Sequence, residues 1–211
     1  MAQDKSHKQQ NLLPLSVLTA VHIVGFLLAT GIGGGVMDEA ADWSKLGVAS
    51  FVAAVAALFV LMINAQASDV LKARLVYLRW DDPLPGGEAF SKWMATHPNI
   101  DPGAVRAAVG ELPESRAEQN MAWLQLYREC ENQVGVGGAS REYLLARDAT
   151  FLGLIFTFVL GSAVWFYQSQ IVWKLAYVLP ALSFMLLTWR AARLNGIRLV
   201  KLVLARQSSP R

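Results

Sequence analysis

Four long apolar stretches leave this chain few ways to fold. Residues 12–36, 46–68 and 149–170 carry no charged side chain, and residues 171–189 carry only Lys174. A helix needs roughly 20 apolar residues to cross a bilayer core, and each stretch has that length. The composition agrees: 17% of residues are charged, against about 25% in an ordinary soluble domain. The expected fold is an all-α integral membrane protein, with four transmembrane helices as two hairpins and a helical cytoplasmic insert. The expected divisions are an N-terminal tail over 1–11, a first hairpin over 12–68, the insert over 69–148, a second hairpin over 149–189 and a basic amphipathic tail over 190–211. The first stretch is too long for the core of a cleaved signal peptide, about 7–15 residues, and is expected to stay in the membrane.

Lysine and arginine in the flanks set the orientation. The loop after the first stretch holds Asp38, Glu39 and Asp42 against Lys45, and the connection near residue 170 holds only Lys174. Lys72, Arg74 and Arg79 follow the second stretch, and Arg190, Arg193, Arg198, Lys201 and Arg206 follow the fourth. Both termini and the insert are therefore expected in the cytoplasm. One cysteine, Cys130, excludes a disulfide framework. Three histidines, His7, His22 and His97, are too scattered for a metal cluster. No metal and no cofactor is expected.

Lipid gives helices no hydrophobic reason to associate, so they meet through small residues. The expected packing faces carry Gly25, Ala29 and Gly33 in the first helix, Ala53 and Ala57 in the second, and Gly153, Thr157 and Gly161 in the third. His22 is the one titratable group deep in an apolar span, where ionisable residues mark candidate functional sites. It is read either as a neutral imidazole bonded to a neighbouring helix or as a gating or proton-handling group. Asn64 and Pro180 join it as pore or gate candidates, since proline removes a helical hydrogen bond. A coupled transporter normally carries further charged groups near the midplane, and these spans lack them. The glycine run at 31–35 reads as a helix terminus, or as a hinge or pore mouth.

In the insert, the second helix is expected to run on past Leu75 until Asp82 and Pro83 stop it. A short helix follows over about 88–96, Asp101 before Pro102 starts another, and Ser115 with Glu118 forms a capping box that opens a helix to about residue 134. Ser140 begins a last helix that runs into the third span. About 65 residues make a marginal core, so with Phe90, Trp93, Trp123 and Tyr127 the short helices are expected to pack on each other and on neighbouring subunits, and these four aromatics to serve docking of a protein partner. Nine basic and twelve acidic residues over 69–148 argue against direct nucleic-acid binding. Arg190, Arg193, Arg198, Lys201 and Arg206 lie on an amphipathic tail suited to anionic lipid headgroups, or to a partner. Asp81, Asp82 and His97 read as turn and loop residues, with an acid–base or metal role as the alternative. No catalytic residue is expected.

The layout of paired membrane hairpins around a small helical insert resembles the four-helix membrane components of bacterial anti-phage defence systems. That resemblance implies a homo-oligomeric inner-membrane protein that permeabilises the membrane or holds a cytoplasmic effector at it. The function expected is a non-enzymatic membrane sensor, anchor or pore-forming effector whose insert docks a partner. A stand-alone ion channel or small-solute transporter is the alternative.

Overall fold

The computed structural model describes residues 7–30, 43–133 and 135–208. No strand occurs among them; the fold is helical throughout. Helix α1 spans Leu12–Thr30, α2 Trp43–Gln66, α3 Asp69–Tyr77, α4 Pro102–Val109 and α5 Arg116–Cys130. Helix α6 runs over Val136–Tyr167 and α7 over Ile171–Gln207. Three of them, α1, α6 and α7, are long and apolar enough to cross a membrane, and α2 with α3 makes a fourth if that bent pair is one span. The chain divides into two compact units, Gln10–Ser68 with Asp148–Trp189, and Asp69–Arg147 with Met1–Gln9 and Arg190–Arg211.

In the first unit, apolar side chains point outward. Leu13, Val17, Val21, Val24 and Leu28 of α1 are exposed, while Leu15, Thr19, Ile23 and Ala29 are buried. A water-soluble helix would reverse that pattern. The hydroxyls of Ser16, Thr19, Thr30, Ser162 and Thr188 donate to the carbonyls of Leu12, Leu15, Phe26, Phe158 and Phe184, each four residues back on the same helix. Hydrocarbon supplies no hydrogen-bond partner, so each helix must satisfy its polar groups from within. Within α6 the backbone widens over Ile155–Leu160 into a π-type turn, closed by the Gly161 N–H donating to the Phe156 carbonyl.

The second unit has a conventional core. Phe90, Met94, Ile100, Val105, Trp123 and Leu126 pack with Val136, Tyr143, Leu199, Val200, Val203 and Leu204. Local signals place its helices. Asp101 accepts from the Gly103 N–H at 2.8 Å and caps α4, and Ser115 Oγ accepts from the Glu118 N–H at 3.3 Å while donating to Glu118 Oε2 at 2.7 Å. Buried Gln119 links α5 to the short helical turns over 85–96. Its Oε1 accepts from the N–H groups of Phe90 and Ser91 and from Ser91 Oγ, and its Nε2 donates to the Glu114 carbonyl. Gly86 lies flat on the Trp123 ring, where a Cβ would come within 2.7 Å of it.

Four expectations are corrected. The second helix does not continue past residue 66: it breaks at 67–68, and a new helix starts at Asp69, whose carboxylate pairs with buried Arg147 at 2.9 Å. The last helix of the insert begins at Val136, ahead of Ser140, after Gly135 with φ +97°. Residues 190–207 are not a separate surface tail but the continuation of α7, whose apolar face closes the core of the second unit. That contribution also removes Phe90 and Trp123 from any docking surface, since both are core residues at 4% and 5% exposure. An amphipathic helix shows which face must be covered, and here the insert covers it.

Candidate functional site

The first unit contains a cleft of about 420 Å³. Helix α1 contributes His22 and Gly25 to its lining, and α7 contributes Ala176, Tyr177, Pro180 and Phe184. Two of the three expected pore or gate residues, His22 and Pro180, thus come together. The third, Asn64, is buried elsewhere on α2 and does not line the cleft, and its Oδ1 has no hydrogen-bond partner among the described residues.

Three polar groups break the apolar lining. His22 Nδ1 lies 3.0 Å from the Leu18 carbonyl. A carbonyl only accepts, so Nδ1 carries the proton, and in the neutral ring Nε2 is an acceptor. The imidazole is held on both sides, stacked on Phe156 at 4.2 Å between centroids and tilted against Phe184 at 4.9 Å. Phe156 belongs to the π-type turn of α6, so the widened backbone carries the ring that His22 rests on. Tyr177 is 6% exposed, and its buried hydroxyl has no hydrogen-bond partner among the described residues. Phe26 meets its ring edge-on at 6.1 Å. Pro180 has no N–H, so the Ala176 carbonyl one turn earlier loses its usual helical donor. A hydroxyl, an imidazole and a carbonyl without its helical donor thus belong to residues that line an otherwise apolar cleft. That arrangement suits an amphipathic guest with one hydrogen-bonding end, as ligand sites combine apolar walls with a few orienting polar groups.

The expected packing residues fall into distinct environments. Gly153 is a close approach, since a Cβ there would lie 3.0 Å from the Met185 Cα. Gly25 and Gly161 have more room, with nearest neighbours at 3.8 and 3.6 Å. Thr157 and Ala29 are buried and Ala57 is half-buried. Gly33 and the glycine run at 31–35 lie outside the described residues, as does the side chain of Ala53.

In the second unit, Trp93 and Tyr127 are half-buried; Tyr127 stacks on Trp123 at 5.6 Å and donates to Ser140 Oγ at 2.9 Å. The apolar surface is elsewhere, at Leu78, Trp80 and Met121, which are 69%, 76% and 60% exposed. Leu78 has φ +54°, a conformation that a branched side chain rarely adopts. The Arg74 Nε donates to the Trp80 carbonyl at 3.0 Å and holds that turn. Only an alignment of unpaired Leu and Trp with a turn could have marked this surface in the sequence. Asp81 and Asp82 are exposed beside it, and His97 accepts from the Asn99 N–H at 3.3 Å in a loop. Of the basic residues on the tail, Arg198 pairs with Glu142 at 3.1 Å, Lys201 lies over the Trp93 ring at 5.1 Å, and Arg190 and Arg206 are exposed. Arg193 lines a second, smaller cleft. No protein-family model matches this chain, and comparisons with curated proteins and with solved structures give no significant match.

Proposed function

We propose that this protein is a non-enzymatic membrane sensor and anchor: a homo-oligomer of the bacterial inner membrane that binds an amphipathic guest in its cleft and docks a cytoplasmic protein. In this reading the four apolar stretches span as two hairpins with both termini in the cytoplasm, which the placement of lysine and arginine in the flanks supports. One observation carries the proposal. Helix α7 lines the cleft with Tyr177, Pro180 and Phe184 and, further along the same helix, supplies Leu199, Val200, Val203 and Leu204 to the helical core. One helix therefore contributes both to a candidate ligand site and to the core of the second unit. The exposed pair Leu78 and Trp80 is the docking surface, in place of Phe90 and Trp123. The resemblance of the expected layout to membrane components of anti-phage systems supports an anchor or effector role.

The cleft also favours a second reading, a stand-alone channel in which His22 and Pro180 border the path. One measurement separates the two: the mass of the complex extracted from native membranes in mild detergent. A second protein in fixed ratio, lost in a Trp80→Ala variant, is the outcome expected of an anchor. A closed homo-oligomer with nothing attached would overturn the anchor and leave the channel.

A further inference from the structure

The helical unit holds a second cleft, of about 90 Å³, lined by Tyr77, Arg79, Glu88, Lys92, Trp93 and Arg193 among others. Its charge is one-sided. Among the described lining residues three side chains are cationic, and Glu88 alone is anionic. Glu88 is itself heavily shared. Its Oε1 accepts from Arg79 at 2.9 Å and from Arg116 at 2.6 Å, and its Oε2 lies 3.8 Å from Lys92. Arg79, Lys92 and Arg116 bring three positive charges to this one carboxylate, so the cluster keeps a surplus of cations. Lys201 adds to it, with Nζ 5.1 Å from the centroid of the Trp93 ring that also carries Lys92 at 4.6 Å.

These cations converge from separate parts of the chain. Arg79 follows α3, Lys92 lies in the short helical turns, Arg116 opens α5, and Arg193 and Lys201 belong to α7. Arg79, Lys92 and Arg193 line the cavity and Arg116 and Lys201 lie beside it, an arrangement that differs from a solvated run of charge along one helix face. Each guanidinium carries five N–H donors in a fixed fork, and the pairs of Arg79 and Arg116 with Glu88 use one nitrogen of each. The remaining donors match the oxygens of a tetrahedral oxyanion, which arginine forks bind well.

We propose that this cleft is an oxyanion site that takes a phosphate group, held by Arg79, Lys92 and Arg193 around Glu88. The site stands apart from the sensor and anchor reading and does not depend on it. Two sources carry the same chemistry: free phosphate, as an ion or on a small soluble molecule, and the headgroup of an anionic lipid.

The test uses the full-length protein and its thermal unfolding midpoint. In detergent, the midpoint is followed against inorganic phosphate, with chloride at matched ionic strength as the control. In parallel, it is compared between nanodiscs of phosphatidylcholine and nanodiscs containing phosphatidylglycerol. A rise with phosphate in detergent assigns the free ion, and a rise confined to phosphatidylglycerol assigns the headgroup; either supports the site. Arg79→Gln should weaken the apparent affinity by about tenfold, the loss of one charge-assisted hydrogen bond. Lys92→Gln, at a more exposed position, serves should Arg79→Gln fail to fold, and should weaken the response in the same direction. Glu88→Gln should lower the midpoint alone and enlarge the response, because it removes the competing carboxylate. No rise in either medium, a rise equal to that with chloride, or a response unchanged in the lysine and glutamate variants would overturn the proposal.

Discussion

The two units differ in how most of their polar side chains are satisfied. In the apolar unit, most hydroxyls with a partner return to the carbonyls of their own helix, as Thr19 does to Leu15 and Thr188 to Phe184, while the Gln168 amide donates to the distant Ala29 carbonyl at 2.7 Å. In the helical unit, polar side chains reach across the chain: Gln119 to Phe90 and Ser91, Arg116 to Glu88, Gln207 to Glu129, and Ser208 to the Asp101 N–H. A helix in hydrocarbon has no solvent to fall back on, so it is self-sufficient and meets its neighbours through shape. A helix in water can exchange solvent bonds for bonds to distant elements, and these help fix which element packs on which. Specificity therefore comes from close backbone approach in one unit and from long-range polar links around an aromatic core in the other.

The sharpest way to break that contrast is to empty the aromatic core. Trp123→Ala removes a buried side chain that packs on Gly86 and stacks on Tyr127, and should cost about 3–5 kcal/mol. Cys130, the single cysteine, reads the result. It is 2% exposed, and burial holds its thiol above the usual range for cysteine. Maleimide labelling of Cys130 should be slow in the wild type and much faster in Trp123→Ala. Unchanged labelling would mean that the second unit does not depend on this core.

Shape is the corresponding lever in the apolar unit. Gly153→Ala places a methyl group 3.0 Å from the Met185 Cα, where backbone must yield, and overpacking of this kind costs about 1–3 kcal/mol. Gly161→Ala meets its nearest atoms at 3.6 Å and should be close to neutral. Resistance to unfolding in SDS should fall for Gly153→Ala and not for Gly161→Ala. Equal behaviour would remove the distinction between a close crossing and an ordinary contact.

That distinction also marks where sequence reading stops. Four-residue spacing puts Gly153 and Gly161 in one stripe, yet only the facing helix decides which of them is a close approach. The apolar stretches were readable because length and lack of charge are local properties. So were the caps at Asp101 and Ser115, which depend on groups two or three residues away. The burial of Leu199, Val200, Val203 and Leu204 against the insert was not readable, because periodicity shows an apolar face and not its cover. The cleft was half readable. His22 stood out as an ionisable residue in an apolar span, and Pro180 as a helix breaker, but their meeting with Tyr177 and Phe184 needs two helices brought together. Glu88 gave only the local signal of Lys92 four residues on, since its closer partners Arg79 and Arg116 lie 9 residues before it and 28 after it.

The smallest expected effect concerns that carboxylate and sharpens the contrast from the polar side. Burial alone would raise the Glu88 carboxyl, but the hydrogen bond from Arg79 and the charges of Arg79, Lys92 and Arg116 outweigh it and hold the group below its ordinary range. In the unfolded chain it titrates near about pH 4.3. A carboxyl depressed in the folded state contributes stability that is full above the unfolded value. That contribution is lost as pH falls from there through the folded value. Between neutral pH and pH 5 the second unit should therefore keep this contribution, and below about pH 4.3 it should lose it progressively. Hydrogen exchange over Arg116–Cys130 measures the effect against Glu88→Gln, which has no proton to gain at that position. The difference in protection between wild type and variant should shrink as pH is lowered through this window, whereas a constant difference would show that the three cations do not stabilise the fold through the Glu88 charge.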